Sequence, residues 1–553
     1  MPGSTSPSLI KKVLTWLDSN IMLLLTGFLL AFIPLYPKLP LFEAIPGYIV
    51  RVRLEDIIVF GTGIVWLIQA LRGKINWRVT SLWLLIGYAL VGLFSLLSAI
   101  FLIKTVPLEL LHIGKSLLHY FRYLEYFSLV LFVFAAVKSK ADAIKLLSIS
   151  LLTVLALSVY GYGQKFFYWP VYSTMNREFS KGIRLYLMDH ARVQATFGGH
   201  YDLAAYLVIS LPIILALAFI VKSKLLKVSL HILHIVGLWL LLAAAARTSY
   251  IGYLLSLGIL IPMLALKQPT WPKRIAWAVS RGLGMGVLML VMILNFGQDI
   301  SERLVQALEG YPAANKFYHD SDAKYQDLIH QPLVALGLAE RPAPPSNSVG
   351  VSASDQVLTP TDTRPVAQKP SDVFTVIPET VTVATTSATG VTTTTTVSKD
   401  RTYSDNALKY GLSAAIRFDT LWPRAIAGFW RNPLLGSGYA TLTKESITQF
   451  TEAESTDNNF LRTLGETGLL GFLSFYGLVI LAISTGSWLF KTQTGWIMAL
   501  GGGFVAASIG LLLNASYIDV FASSKVAFTY WSLVGLILAL RKIVTKPTKH
   551  ADS

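Results

Sequence analysis

The sequence predicts an all-α integral membrane protein of about twelve spanning helices, and three observations carry that reading. Of the 553 residues, 53% are apolar and only 14% are charged, against roughly 45–50% and about 25% in soluble domains. The mean hydropathy is +0.55. Apolar segments of about 20 residues, the length needed to cross a bilayer, recur along the chain, and Lys and Arg gather in every second connection between them except the one near Lys491. This excludes a cytosolic globular enzyme and a disordered chain. The lack of Cys removes disulfides, zinc–thiolate sites, iron–sulfur clusters and thiol nucleophiles. The net charge of +16 has its simplest source in cationic cytoplasmic loops, so no nucleic-acid partner is expected.

The twelve expected spans lie near 15–35, 54–71, 81–102, 119–137, 143–164, 202–221, 228–246, 248–266, 276–296, 466–490, 496–515 and 523–540. The first lacks a small-x-small cleavage site and runs into Pro34, Pro37 and Pro40, which fits an uncleaved anchor. The stretch 228–266 holds 39 residues with Arg247 as its only charge, too long for one crossing, and is expected to turn at Arg247. With a cytoplasmic N-terminus, the inner connections hold Lys11/Lys12, Arg72/Lys74/Arg78, Lys138/Lys140/Lys145, Lys222/Lys224/Lys227 and Lys267/Lys273/Arg274, and the tail adds Arg541 and Lys542. Both termini are therefore expected in the cytoplasm of a multi-pass cell-membrane protein.

Three regions follow: 1–297 with helices one to nine, an extracytoplasmic loop over 298–465, and 466–553 with the last three helices and a basic tail. Within the loop, 340–400 is rich in Pro, Ser and Thr, and Thr380–Thr396 contains ten Thr in 17 residues. So little apolar surface predicts a disordered insertion. Its flanks, 298–335 and 404–450, carry aromatics at helix-like spacing and are expected to form amphipathic helices on the outer membrane surface.

Three polar features sit at the expected outer ends of the helices. Ser455-Thr456-Asp457-Asn458-Asn459-Phe460-Leu461 is followed by Glu466-Thr467-Gly468-Leu469-Leu470-Gly471, and Asp457 and Glu466 are the only acids between Glu454 and Asp519. Asp457 reads either as a helix N-cap or as a general base, and the glycines read as close-packing points between helices. Arg247, in Ala246-Arg247-Thr248-Ser249, needs an anion, and a phosphate suits a guanidinium; a lipid headgroup or a structural carboxylate would also serve. Arg192, with Arg184, His190 and His200 nearby, brings further cationic or titratable groups to the same edge. His231 and His234 have no acid beside them, so no metal site is expected there. No nucleotide-binding loop, HExxH, EF-hand or GxSxG elbow occurs. A donor for any chemistry here would arrive already activated and membrane-borne, with no cofactor.

Several stretches together resemble the O-antigen ligase and O-antigen polymerase superfamily of polytopic glycosyltransferases. They are Arg53-Leu54-Glu55-Asp56, Phe121-Arg122-Tyr123-Leu124-Glu125-Tyr126, Phe197-Gly198-Gly199-His200-Tyr201-Asp202, Arg247-Thr248-Ser249, Asn432-Pro433-Leu434-Leu435-Gly436-Ser437-Gly438-Tyr439, and Asp457-Asn458-Asn459-Phe460-Leu461 with its Glu466-x-Gly468-x-x-Gly471 continuation. The resemblance implies an inverting glycosyltransferase that moves a glycan from undecaprenyl diphosphate to the hydroxyl of a glycan, lipid or protein acceptor at the outer face of the cytoplasmic membrane, in bacterial cell-surface polysaccharide synthesis, without a metal. It assigns the diphosphate to Arg192 and Arg247 and the base to Asp457. It leaves His200, Arg122, Arg417, Arg424, Asn458 and Glu466 as acceptor or donor contacts. The ligases carry His where this chain has Asp457. The Asp resembles instead the base of the shape, elongation, division and sporulation polymerases, which tilts the expectation toward polymerisation, with ligation or protein O-glycosylation as alternatives. A transporter or lipid-linked glycan flippase is the rival class, and a purely structural scaffold is a third.

Overall fold

The protein is described by a computed structural model. It covers residues 9–297 apart from 46, 47, 49, 80, 176, 177, 189 and 190, then 403–442 and 455–545; between these it describes only 316, 320, 323, 324, 327, 331, 332, 379–386 and 392–399. His190, most of the expected loop 298–465 and most of 340–400 lie outside the described residues.

Among the described residues, twelve helices are long and apolar enough to span a membrane, and the chain is an all-α polytopic membrane protein. The first nine are α1 (Leu9–Leu35), α2 (Leu54–Leu71), α3 (Leu82–Leu97), α4 (Leu110–Ala136), α5 (Lys140–Phe166), α6 (His200–Ile220), α7 (Lys224–Ala243), α8 (Arg247–Ala265) and α9 (Trp271–Phe296). The shorter α10 (Asp405–Tyr410), α11 (Leu412–Ala415) and α12 (Trp422–Arg431) follow, then α13 (Asn459–Thr492), α14 (Gly495–Ala515) and α15 (Ser524–Thr545). The long apolar run over 228–266 is indeed two helices, with Arg247 the first residue of the second.

The chain divides into a helical unit, Met1–Ile300 with Leu421–Ser553, and a second unit, Ser301–Thr420. In the helical unit α6, α14 and α15 are the most buried. Small residues let their backbones meet: a Cβ on Gly252 of α8 would lie 2.7 Å from the Gly510 carbonyl of α14, and one on Gly503 would lie 2.8 Å from Ile213 Cα of α6. This is how helices gain dispersion contact where lipid removes any hydrophobic drive to associate. Helix α9 is peripheral, with only Met285 and Met289 buried. At one end of the bundle Asp18 of α1 pairs with Arg72 at 2.7 Å and with Lys74.

In the second unit, Glu379–Thr386 and Thr392–Lys399 pair as an antiparallel hairpin. These segments fall within the stretch expected to be structureless. Their sequences, ETVTVATT and TTTTTVSK, are dominated by β-branched residues, whose stiff χ1 favours extended backbone even where apolar content is low. In α10, Ser404 accepts from the Ala407 N–H as N-cap, and Asp419 accepts from Ser404 Oγ at 2.6 Å.

Candidate functional site

The site is built on a broken helix. Helix α13 begins earlier than its apolar run suggests, at Asn459, and is interrupted at Gly468 (φ 64°, ψ −166°). Only glycine enters this backbone region without strain. The loop Asn432–Tyr439 is fitted into the interruption. Ser437 N–H donates to Gly465 O at 2.7 Å and Gly438 N–H to Glu466 O at 3.0 Å, while Leu469 N–H donates to Pro433 O at 2.8 Å. A Cβ on Gly468 would lie 2.4 Å from the Leu434 carbonyl carbon. Gly468 is thus the site of a chain break as well as of close packing. Helix α12 lies against the first half of α13 through Ala425 and Gly428, and leaves Trp430 exposed.

Asp519, in the turn between α14 and α15, organises the head of α13. It accepts from the backbone N–H of Thr456 at 2.8 Å and of Asn458 at 3.0 Å, and pairs with Arg462 at 3.0 Å. Arg462 also reaches Glu466 at 3.4 Å, and Glu466 accepts from Ala440 N–H at 3.1 Å. The helix cap is Asn458, whose Oδ1 accepts from Leu461 N–H at 3.0 Å; Asn459 Oδ1 accepts from Phe521 N–H at 2.9 Å. The cap role considered for Asp457 therefore belongs to its neighbour, because Asp457 is turned away by a left-handed backbone, φ 50°. Asp457 is half-buried. Ser455 Oγ lies 2.7 Å from Asp457 Oδ1 and 3.1 Å from Asp519 Oδ2, and its single proton serves one carboxylate at a time.

Beside this segment is a cavity of about 260 Å³ lined by Lys38, Arg53, Arg122, Arg462, Asp202 and His119, with Tyr48, Tyr123 and Tyr126 and the turn Ala522–Ser524 completing its wall. A carboxylate stands against each cation. Lys38 pairs with Glu55 at 3.1 Å, Arg53 with Glu55 at 3.8 Å, and Arg122 with Asp56 at 2.7 Å. Lys38 also contacts Ser524. Tyr48 Oη is 2.8 Å from His119 Nε2. Burial, reinforced by the Arg53 charge and opposed by Glu55, pulls the Lys38 ammonium down to about 8, and burial pushes the Tyr48 hydroxyl well above its ordinary range. Next to the wall, the fully buried Lys525 donates to Pro34 O at 2.9 Å, Tyr36 O at 2.7 Å and Thr196 O at 2.7 Å. Further along α15, Trp531 packs on Phe127 at 4.7 Å, on Phe475 at 5.5 Å and on Phe521 at 6.0 Å between ring centroids, and Tyr126 meets Phe528 at 4.9 Å.

Of the residues given a site role from the sequence, Arg122 lines this cavity, together with Arg53, Tyr123, Tyr126 and Asp202 of the quoted motifs; Arg192, Arg247, His200, Asp457, Asn458, Glu466 and Arg424 do not. Arg192 contacts His200 Nε2 and lies over the Tyr201 ring at 5.8 Å. A guanidinium only donates, so that His nitrogen accepts. The neighbouring Val193 N–H donates to Ala243 O at 3.0 Å, tying this segment to the turn that carries the exposed Arg247. Arg424 is half-buried on α12. In the second unit, Arg417 donates to Ser413 O at 2.7 Å and to its Oγ at 2.8 Å. From the sequence, Asp202 stood in a quoted motif without a role, and Lys38, Arg462, Asp519 and Lys525 were given none. Charges inside or at the edge of apolar spans were the available signal; their pairings were not.

No protein-family model matches this chain, and comparison with curated proteins also returns no match.

Proposed function

We infer that the protein transfers or polymerises glycan from a polyprenyl-diphosphate donor onto an acceptor hydroxyl at the outer face of a bacterial cytoplasmic membrane. The observation that carries this reading is Asp457. A carboxylate is held in left-handed backbone (φ 50°) between two residues whose backbone amides Asp519 binds, and Asp519 also holds Arg462, which lines the charged cavity. Residues held in sparsely populated backbone cluster at working sites, and ionisable groups are kept within membrane spans where function uses them.

In this mechanism Asp457 removes the proton of the attacking hydroxyl. The new bond forms between that oxygen and the anomeric carbon as the bond from carbon to the diphosphate oxygen breaks, inverting the centre. The electron pair leaves on the diphosphate, and Arg192 and Arg247 stabilise the growing charge. The tie between Val193 and Ala243 supports treating those arginines as one anion-binding patch. The Asp at the base position favours polymerisation over ligation, with protein O-glycosylation using the same chemistry.

The rival reading is a transporter, and a cavity of charged residues shown to open to alternate sides of the membrane would favour it. The deciding experiment is Asp457→Ala, assayed for conversion of lipid-linked glycan by protein reconstituted in vesicles. Full activity removes Asp457 from the mechanism. Deleting the gene and characterising polyprenyl-linked material separates the variants of the reading: single repeat units accumulate without a polymerase and long chains without a ligase, while no change argues against both.

A further inference from the structure

We propose that the cavity lined by Lys38, Arg53, Arg122, Arg462 and Asp202 is a subsite for an acidic sugar, a pyranose bearing a carboxylate, within the glycan that this protein handles. The proposal rests on the transferase reading above and adds the chemical class of its substrate.

The wall chemistry selects for an anion with hydroxyls. Arg122 uses Nη1 on Asp56 and Glu125, and Arg462 uses Nε and Nη1 on Glu466 and Asp519. Arg122 Nε and Nη2 and Arg462 Nη2 have no acceptor among the described residues, and none of the three is a sealed-off buried atom. Planar guanidinium donors of this kind suit a carboxylate. Asp202 offers acceptor oxygens to sugar hydroxyls, and Tyr48, Tyr123 and Tyr126 supply ring edges and faces. A volume of about 260 Å³ corresponds to eight or nine waters at about 30 Å³ each, room for a pyranose ring with its substituents.

The same charges argue against the diphosphate as occupant. Lys38 and Arg53 share Glu55, Arg122 meets Asp56 and Glu125, and Arg462 meets Asp519 and Glu466, at 2.7–3.8 Å, and Asp202 adds another carboxylate in the wall. A multiply charged diphosphate needs uncompensated cations, whereas a singly charged polyol is satisfied by directed hydrogen bonds from the guanidinium donors of Arg122 and Arg462 that have no acceptor among the described residues. An acyl or prenyl chain is disfavoured because the wall is crowded with charged and hydroxyl groups.

The test is direct binding to the full-length protein in nanodiscs, by calorimetry, with three probes: a glucuronate-containing disaccharide, its neutral glucose counterpart, and inorganic pyrophosphate. The uronate disaccharide is expected to bind at least tenfold more tightly than the neutral one. Arg53→Gln is expected to abolish that preference, Arg53→Lys to retain part of it, and neither to change pyrophosphate binding, which also reports that the variants are folded. Equal binding of the two disaccharides overturns the proposal. So does loss of pyrophosphate binding in Arg53→Gln together with indifference to uronate, which would make the cavity the diphosphate site. These readouts need no turnover, so failure here leaves the transferase reading intact. Failure of that reading is seen separately, as full transfer by Asp457→Ala.

Discussion

Arg462 Nη1 lies 3.0 Å from Asp519 Oδ2 across 57 residues of chain, and through that contact the cavity wall and the segment bearing Asp457 share one support. The carboxylate also holds two backbone N–H groups, of Thr456 and Asn458. Removing it leaves two buried backbone donors without their acceptor and leaves Arg462 with Glu466 alone, at 3.4 Å. Asp519→Ala is therefore expected to destabilise the protein by about 3–5 kcal/mol, the range for breaking one side of a buried ion pair. Thermal unfolding in detergent checks this; Asp519→Asn, which keeps an acceptor for the backbone, should lose less.

Catalysis and capping are expected to separate at adjacent positions. Asp457→Ala should lower transfer by roughly 10²–10⁴-fold, the usual worth of a general base, with little change in unfolding temperature. Asn458→Ala should instead lower stability by about 1 kcal/mol through loss of the cap. Asp457→Gly should be as inactive as the Ala variant but no less stable, because glycine accepts φ near 50°. Parallel activity and unfolding measurements on the three variants check the separation.

The break in α13 is expected to tolerate no side chain. Gly468→Ala combines a left-handed backbone with a Cβ 2.4 Å from the Leu434 carbonyl carbon, and should cost at least the 1–3 kcal/mol typical of such strain. Gly258, where a Cβ would meet nothing within 4 Å, is the control, and Gly258→Ala should unfold at or above the wild-type temperature.

Binding of the acidic sugar is expected to weaken as pH rises through about 8, where Lys38 loses its charge. Calorimetry between pH 6.5 and 9.5 should show this limb in the wild type and not in Lys38→Met. Stability moves the other way. The folded pKa lies below the ordinary value of 10.5, so between about 8 and 10.5 the unfolded chain binds more protons. The contribution of Lys38 to stability therefore increases with pH across that window and is least favourable below it.

The spans were legible in the sequence because crossing a bilayer imposes a length and an apolar composition on each segment; α7 and α8 separate at Arg247 for this reason. The early start of α13 at Asn459 was not legible, since its first turns carry Asn, Arg, Thr and Glu, which are met by α12, Asp519 and the Ala440 amide. Its break was hidden as well, because a glycine that breaks a helix and one that packs against a neighbour look the same in one sequence. Asp457 and Glu466 stood out by their isolation. Arg462 did not, because its meaning lies in Asp519, and a partner 57 residues away leaves no local pattern. The hairpin Glu379–Lys399 was obscured by low apolar content, although the β-branched pattern that favours extended strands was present.

The interleaving of Asn432–Tyr439 with the interrupted α13 also bears on how the chain is assembled. Made from its N-terminus, the protein presents this loop before α13 exists, and the loop's amides wait for carbonyls not yet synthesised. The amides of Ser437 and Gly438 find the Gly465 and Glu466 carbonyls, and those of Leu469 and Leu470 find the Pro433 and Leu434 carbonyls, only when the later helix arrives. Insertion of α13 into the lipid and seating of the loop are then a single event in biogenesis, and a nascent chain halted ahead of residue 459 would leave this half of the molecule open.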